Sequence, residues 1–192
     1  HQHLNGHPDA PASRYAHGLL LASVNRWQDV IDTLAVIPRS QWDSRMLELE
    51  GRVLDMQALA RASALREAGR NDEAYAALTQ RAESVRVRLQ QAQWLYDDGQ
   101  FDAALHHYEA VLQMDPNNFD ARLGQLEVWL VQGKAVPVRA ALSRPGFTLD
   151  GQPTTVYRRV AALWAGLNEP GRAKAILRGR AADLSEPEPL LY

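Results

Sequence analysis

The chain has 192 residues, a formal net charge of −2 and no cysteine. Because its 21 basic and 23 acidic side chains nearly balance, no long-range field attracts nucleic acid or an acidic membrane surface, and we expect neither partner. The lack of cysteine excludes disulfides, thiolate metal sites and a cysteine nucleophile. With 46% apolar residues and abundant Ala, Leu and Arg, the composition favours an all-α chain.

The first predicted helical pair covers residues 11–37. Pro11 suits a first helical turn, where its missing N–H costs nothing. Gly18 is the small residue that lets the two helices approach closely, and Pro38 ends the second helix. Ser40 is the predicted N-cap of the helix that follows.

A long helix is predicted near residues 41–68, because this stretch contains no Pro, only one Gly, and keeps a helical period of apolar residues. At about 1.5 Å per residue its length would be roughly 40 Å. The helix joins a connecting segment to the next pair, whose second helix is short and ends near Thr79.

The most regular pair is predicted at residues 85–118, where small and apolar residues follow the frame of about 34 residues that is typical of tetratricopeptide repeats. Gly99 is predicted to close its first helix in a left-handed conformation. One pair cannot bury its own apolar face, so the predicted fold is an all-α tetratricopeptide solenoid of about five pairs. The frame consists of Ala92, Leu95, Gly99, Phe101, Ala104, Tyr108, Val111 and the closing Asp115-Pro116-Asn117-Asn118.

The next pair departs from this frame at its small positions, where Leu126 and Val138 replace the usual Gly and Ala. A loop rich in Gly and Pro is predicted at residues 143–153, longer than an ordinary turn between repeats. A last pair follows, and Pro170 is predicted to begin its second helix.

We expect one repeat domain over residues 11–182. Residues 1–10 are predicted to be the end of a preceding repeat, because Pro8 falls where the proline between repeats belongs. Residues 183–192, which contain two prolines, are predicted to be a tail or linker. We interpret the sequence as a window from a longer repeat array.

Few residues have a pattern that suggests chemistry. His1, His3 and His7 could chelate a metal but lie at the end of the chain, and Asp97 and Asp98 lie in a turn where acidic residues are common. No nucleophile motif and no glycine-rich phosphate loop is found. We therefore predict no catalytic residue, no metal site and no cofactor, and expect that the protein is not an enzyme.

The tryptophans suggest an alternative, since indole rings pack on sugar rings. The positions of Trp42 and Trp94 are less determined, and these two remain the candidates for surface aromatics, which together with Asp97 would serve a carbohydrate-binding module or a carbohydrate-active enzyme. The remaining three occupy apolar frame positions and are predicted to lie in the core: Trp27, Trp129 and Trp164.

A binding surface is predicted on the concave face, which first helices line in tetratricopeptide repeats. These positions carry neither the Lys nor the Asn with which such domains grip chaperone tails, so an adaptor of that type is disfavoured. A peptide-binding adaptor unrelated to polysaccharide remains an alternative. The candidate binding residues are Tyr15, Arg66, Gln93, Tyr96, Glu127 and Arg158.

Four segments occur in an order and spacing that resembles one family: Ile37-Pro38-Arg39-Ser40-Gln41-Trp42-Asp43-Ser44, Leu65-Arg66-Glu67-Ala68-Gly69-Arg70, Val111-Leu112-Gln113-Met114-Asp115-Pro116-Asn117-Asn118 and Tyr157-Arg158-Arg159-Val160-Ala161. From about Ser13 to Leu177 the chain resembles the periplasmic tetratricopeptide region of the bacterial cellulose synthase operon protein C family. The resemblance implies a non-enzymatic periplasmic scaffold of an exopolysaccharide secretion complex. Its partners would be other subunits of the complex and the cellulose chain, which an outer-membrane pore exports. The resemblance supplies no catalytic residue.

Overall fold

The computed structural model describes residues 10–185, with side chains up to Gly179. Within these residues the chain forms α-helices, one 3₁₀ turn at Arg39–Gln41 and no strand. The predictions for the three N-terminal histidines, for Pro8 and for the tail after Ser185 lie outside the described residues. The helices are α1 (Pro11–Ser23), α2 (Trp27–Ala35), α3 (Ser44–Glu67), α4 (Asn71–Thr79), α5 (Val85–Asp97), α6 (Phe101–Met114), α7 (Phe119–Val131), α8 (Ala135–Leu142), α9 (Thr154–Gly166) and α10 (Pro170–Ser185).

One turn geometry closes the first helix of all five pairs. In each turn a Gly or Asn has a φ between 59° and 76°, and the amide of the next residue donates to the carbonyl five positions earlier at 2.8–3.0 Å. This is the Schellman arrangement, which satisfies carbonyls at a helix end. The predicted left-handed Gly99 and the five-pair fold are confirmed. The left-handed residues are Asn25, Gly69, Gly99, Gly133 and Asn168.

The long helix begins three residues later than predicted, and the predicted N-cap at Ser40 is wrong. The Trp42 indole N–H donates to the Ile37 carbonyl at 2.9 Å, and Trp42 is extended. The cap is Asp43 instead, whose carboxylate accepts the Met46 amide at 3.0 Å. The tryptophan hydrogen bond therefore holds the connecting segment out of the helix.

The chain divides into two compact units, His1–Gln90 and Gln91–Tyr192, and the boundary lies inside α5. In the first unit the N-terminal half of α3 packs on α1 and α2, where a Cβ on Gly18 would lie 3.3 Å from Leu49 Cδ2. α3 also packs against α4, and Ala62 of α3 and Ala74 of α4 are fully buried. The buried side chains of this unit include Leu21, Val30, Leu34, Met46, Leu49, Val53, Ala62, Ala74 and Leu78.

The core of the second unit lies largely between α7, α8 and α9. At the predicted close-approach positions of the regular pair, Ala92 and Ala104 are fully buried. A further close approach lies between α6 and α7, since a Cβ on Gly124 would lie only 2.2 Å from Tyr108 Cζ. The divergent pair thus has its small residue at Gly124, two positions before Leu126, where the frame would place it. The core side chains include Leu123, Leu126, Val138, Val156, Val160, Leu163 and Trp164.

Candidate interaction surface

The predicted surface residues fall into both units, and the structure brings only some of them together. In the first unit, Tyr15 is half-buried under the Arg45 guanidinium, 5.4 Å from the ring centroid, and Arg66 is half-buried. The second unit contains the other four. Of these, Tyr96 and Glu127 lie near one another: burial raises the pKa of Tyr96, and the charge of Glu127 raises it further.

A branched ion pair joins α7 to α9 in the second unit. Asp120 and Glu127 lie seven residues apart, about two helical turns, and therefore share one face of α7. From α9, Arg159 Nε and Nη2 each donate to a Glu127 carboxylate oxygen at 2.8 Å, and Nη1 lies 3.1 Å from Asp120 Oδ1. The Arg159 and Glu127 side chains are only 28% and 18% exposed. We call Tyr96, Tyr108, Asp120, Glu127 and Arg159 the Arg159 cluster.

Burial and charge act in opposite directions on Arg159. Burial lowers the pKa of its guanidinium, but the hydrogen bonds and the charge of Glu127 outweigh it, so the pKa is raised. For the Tyr108 hydroxyl, in contrast, burial raises the pKa, and the charge of Glu127 raises it further. Both effects keep Arg159 charged and Tyr108 neutral. Two carboxylates against one guanidinium leave the cluster with an excess of negative charge.

Tyr108 contributes a buried polar atom to this cluster. Its side chain is 2% exposed, and its hydroxyl has no hydrogen-bond partner among the described residues. Most buried hydroxyls in proteins are hydrogen-bonded, so an unpaired one is a cost to stability. The ring is held in place by its close packing on Gly124. The sequence indicated Tyr108 only as an apolar frame residue.

The candidate residue Arg158 and its neighbour Arg159 lie on different faces of α9. Arg158 is exposed, whereas Arg159 makes the contacts to α7. Adjacent residues differ by about 100° around a helix, so only one of the two can point towards α7. The sequence contains a pattern that could have indicated this ion pair: two acids lie seven residues apart on α7, and an arginine follows about one repeat after the second acid.

Gln93 is held within its own helix, where its amide donates to Asp97 at 2.9 Å. Tyr96 packs edge-to-face on Phe101 with ring centroids 5.4 Å apart. The last turn of α5 is therefore ordered by local contacts. Its side chains present a polar and aromatic edge next to the ion pair.

The structure rejects Trp94 as a surface aromatic and keeps Trp42 only in part. Trp94 is 7% exposed and belongs to the core. Trp42 is half-buried, and the Arg39 guanidinium lies 4.0 Å from the centroid of its ring. Because a buried indole cannot stack on a sugar, a carbohydrate site built from both tryptophans is excluded.

The three predicted core tryptophans also differ in their burial. Trp164 is 4% exposed and lies in the core as predicted. Trp27 is half-buried against the core of the first unit. Trp129 is half-buried too, but part of its ring lines a cavity, so the prediction holds for it only in part.

No group of three metal-ligating side chains occurs among residues 10–179. Over the same described part of the chain, no helix is both long and apolar enough to cross a membrane.

Five helical hairpins closed by one recurrent turn, with small residues at the close-approach positions, define an all-α tetratricopeptide-repeat solenoid. A tetratricopeptide-repeat family model matches residues 95–146. This segment includes most of the regular pair and the divergent pair.

Among curated proteins the chain is similar to cellulose synthase operon protein C, which confirms the resemblance found in the sequence. The Salmonella typhimurium protein of that name is 40% identical over 121 residues, covering 63% of this chain and 10% of the relative. The protein from Escherichia coli K12 is 34% identical over 164 residues, covering 85% of this chain and 14% of the relative. The chain thus spans about a seventh of the relatives' length or less. No solved structure matches the chain.

Proposed function

We propose that this chain is a non-enzymatic scaffold segment of a bacterial cellulose secretion complex. The observation that carries the proposal is the similarity of 85% of the chain to cellulose synthase operon protein C of Escherichia coli K12. Tetratricopeptide repeats present their first helices to partners, and the partners proposed here are other subunits of the complex. We further propose that the segment works in the periplasm and helps to guide the glucan towards an outer-membrane pore.

The Arg159 cluster supports a protein partner of basic character. Asp120 is 63% exposed, so its charge is available to a partner although Arg159 lies 3.1 Å away. Glu127 is held by two hydrogen bonds and loses little side-chain entropy when a partner binds. Exposed charges at the rim of an interface mainly accelerate association and make it dependent on salt.

A binding experiment with the periplasmic parts of the synthase subunits tests the scaffold role. We expect a complex whose association rate falls in Asp120→Asn and falls further with added salt. Glu109→Gln is the matched control, since Glu109 is an exposed acid on α6. If no subunit binds, the scaffold proposal is wrong. Cell fractionation of the parent protein tests the location, and titration with cello-oligosaccharides tests contact with glucan.

A further inference from the structure

A cavity of about 760 Å³ lies in the second unit between α7, α8 and residues 143–153. Its volume is within the range of roughly 300–1,000 Å³ that is typical of small-ligand sites. The side chains that line it are both aromatic and polar. Those used below are Phe119, Gln125, Trp129, Arg144, Phe147 and Asp150.

The cavity lies where the repeat frame is broken. Leu126 and Val138, both buried, occupy the positions that Ala92 and Ala104 hold one repeat earlier. The distance between packed helices depends on the side chains at their contact, so we expect Leu126 and Val138 to favour a wider spacing of α7 and α8. The cavity lies beside this divergent contact, and Leu126 is part of its lining.

Residues 143–153 cover this groove and are ordered. The Phe147 ring packs on Phe119 with centroids 5.7 Å apart, which anchors the loop to α7. Backbone hydrogen bonds from Phe147 to Arg144 and from Gln152 to Leu149, both at 3.0 Å, form two turns. A loop that is already ordered needs to lose less entropy when a ligand binds.

The lining offers hydrogen-bond donors and acceptors next to an aromatic ring. Arg144 can only donate, Asp150 can only accept, and Gln125 can do both. A second guanidinium, Arg122, also lines the cavity, but its Nη2 donates to the Pro116 carbonyl at 2.7 Å, which leaves Arg144 and Asp150 as the charged groups that face a ligand. Asp150 beside Arg144 disfavours a simple anion, and an apolar ligand would leave both groups and Gln125 unpaired. A neutral ligand rich in hydroxyl groups uses all three, and the Trp129 ring offers an apolar surface for the C–H face of a sugar.

The cavity is on the other side of α7 from the Arg159 cluster. Glu127 and Trp129 are two residues apart and thus about 200° apart around the helix. A ligand in the cavity and a protein on the Arg159 cluster would accordingly not compete for the same face of α7.

We propose that this cavity binds a short segment of neutral β-glucan, with one sugar ring against Trp129 and hydroxyl groups bound by Gln125, Arg144 and Asp150. The choice of glucan among hydroxyl-rich ligands rests on the proposed function, whereas the position of the site rests on the geometry of the cavity.

The test is a calorimetric titration of the 192-residue chain with cellopentaose, together with NMR spectra of its backbone amides. We expect saturable binding and shifts of amides concentrated in residues 143–152. Gln125→Ala and Asp150→Ala should each weaken binding by about 2- to 10-fold, which corresponds to one lost hydrogen bond. Gln113→Ala and Glu109→Ala, exposed residues on α6, are controls that should leave the affinity unchanged. Thermal unfolding establishes that all four variants are folded.

Two results would overturn this site. Cellopentaose binding that persists in Gln125→Ala and Asp150→Ala but weakens in Asp120→Asn would move the glucan to the Arg159 cluster and leave the proposed function intact. Absence of cellopentaose binding, or tighter binding of inorganic phosphate or a proline-rich peptide, would refute the glucan assignment. The scaffold role is judged separately by the subunit-binding experiment, so the two failures are distinguishable.

Discussion

The regular pair α5–α6 and the divergent pair α7–α8 follow the same frame but differ in what the frame positions hold. Ala92 and Ala104 in the first pair correspond to Leu126 and Val138 in the second, and all four are buried. The side chains at these positions are apolar in both pairs, but they are larger in the divergent pair. Larger residues at the close-approach positions accompany a cavity of about 760 Å³ beside α7 and α8.

The connections that follow the two pairs differ as well. Four residues separate α6 from α7, and Asn118 at the end of this turn caps α7 by accepting the Ala121 amide at 3.0 Å. Eleven residues separate α8 from α9 and form the wall of the cavity. A repeat that departs from its frame can therefore gain a cavity, because loops tolerate insertion while the helices maintain the core.

The largest effect is expected where the two pairs meet. In Gly124→Ala the new Cβ would lie 2.2 Å from Tyr108 Cζ, so α6 and α7 must separate or the ring must move. We expect a loss of at least about 2 kcal/mol in the free energy of unfolding, even after the roughly 1 kcal/mol that Ala gains over Gly in a helix. Urea unfolding measures it.

Gly166→Ala is the control for this substitution. Its Cβ would meet only the flexible end of Leu130, at 2.6 Å from Cδ2, so a rotamer change can relieve the contact. We expect a cost below about 1 kcal/mol, because the relief is cheap and Ala favours the helix. Equal losses in the two variants would contradict the special role given to the Tyr108 ring.

The next effect compares equivalent positions in the two pairs. Ala104→Leu adds three carbons to a fully buried contact and should cost about 1–3 kcal/mol, lowering the melting temperature clearly. Val138→Leu adds only one carbon at the equivalent buried position and should cost less. An unchanged melting temperature for Ala104→Leu would show that the frame is misplaced.

Much of the fold was predictable because its signals are local. Gly99 marked a helix end, Pro170 marked a helix start, and the short second helix ending near Thr79 and the loop at residues 143–153 were both recognised. Each of these depends on backbone conformations that Gly and Pro favour or prevent. Local sequence is sufficient for such features.

Features that depend on which neighbouring helix a side chain contacts were not predictable from local sequence. These features are the burial of Trp94, the contact of Arg159 with α7 and the packing of Gly124 on Tyr108. In each case the residue type suited several positions, and the neighbouring helix decides which side chain it contacts. The cavity itself needed the loop conformation, which composition alone does not specify.

A smaller effect concerns the ion pair between α7 and α9. Arg159→Ala leaves the Glu127 carboxylate, 18% exposed, without its partner. Because water reaches part of the pair, we discount the full cost of breaking a buried ion pair and expect a loss of about 1–2 kcal/mol. Arg158→Ala removes an exposed neighbour and should change stability by less than about 0.5 kcal/mol. A larger loss in Arg158→Ala than in Arg159→Ala, measured by thermal unfolding, would contradict a stabilising role of the ion pair between α7 and α9.

The smallest effect tests the cap that joins the regular pair to the divergent pair. Asn118→Ala removes the side chain that accepts the Ala121 amide and should cost about 1 kcal/mol, at neutral and at acidic pH alike, because an amide does not titrate. The cap of α3, Asp43, serves as the comparison with Asn118, because its carboxylate can be protonated. Hydrogen bonds from Arg45 and then from the Met46 amide lower the pKa of Asp43.

A lowered pKa in the folded state gives the Asp43 cap a definite pH dependence. Its stabilisation is complete above the unfolded pKa of about 3.9 and is lost as the pH falls through the lower, folded value. Asp43→Ala should therefore destabilise the protein at neutral pH and do so less at acidic pH, while the cost of Asn118→Ala stays constant. Urea unfolding of both variants at the two pH values measures this difference. Parallel pH profiles would mean that the Asp43 carboxylate does not hold the start of α3 through its charge.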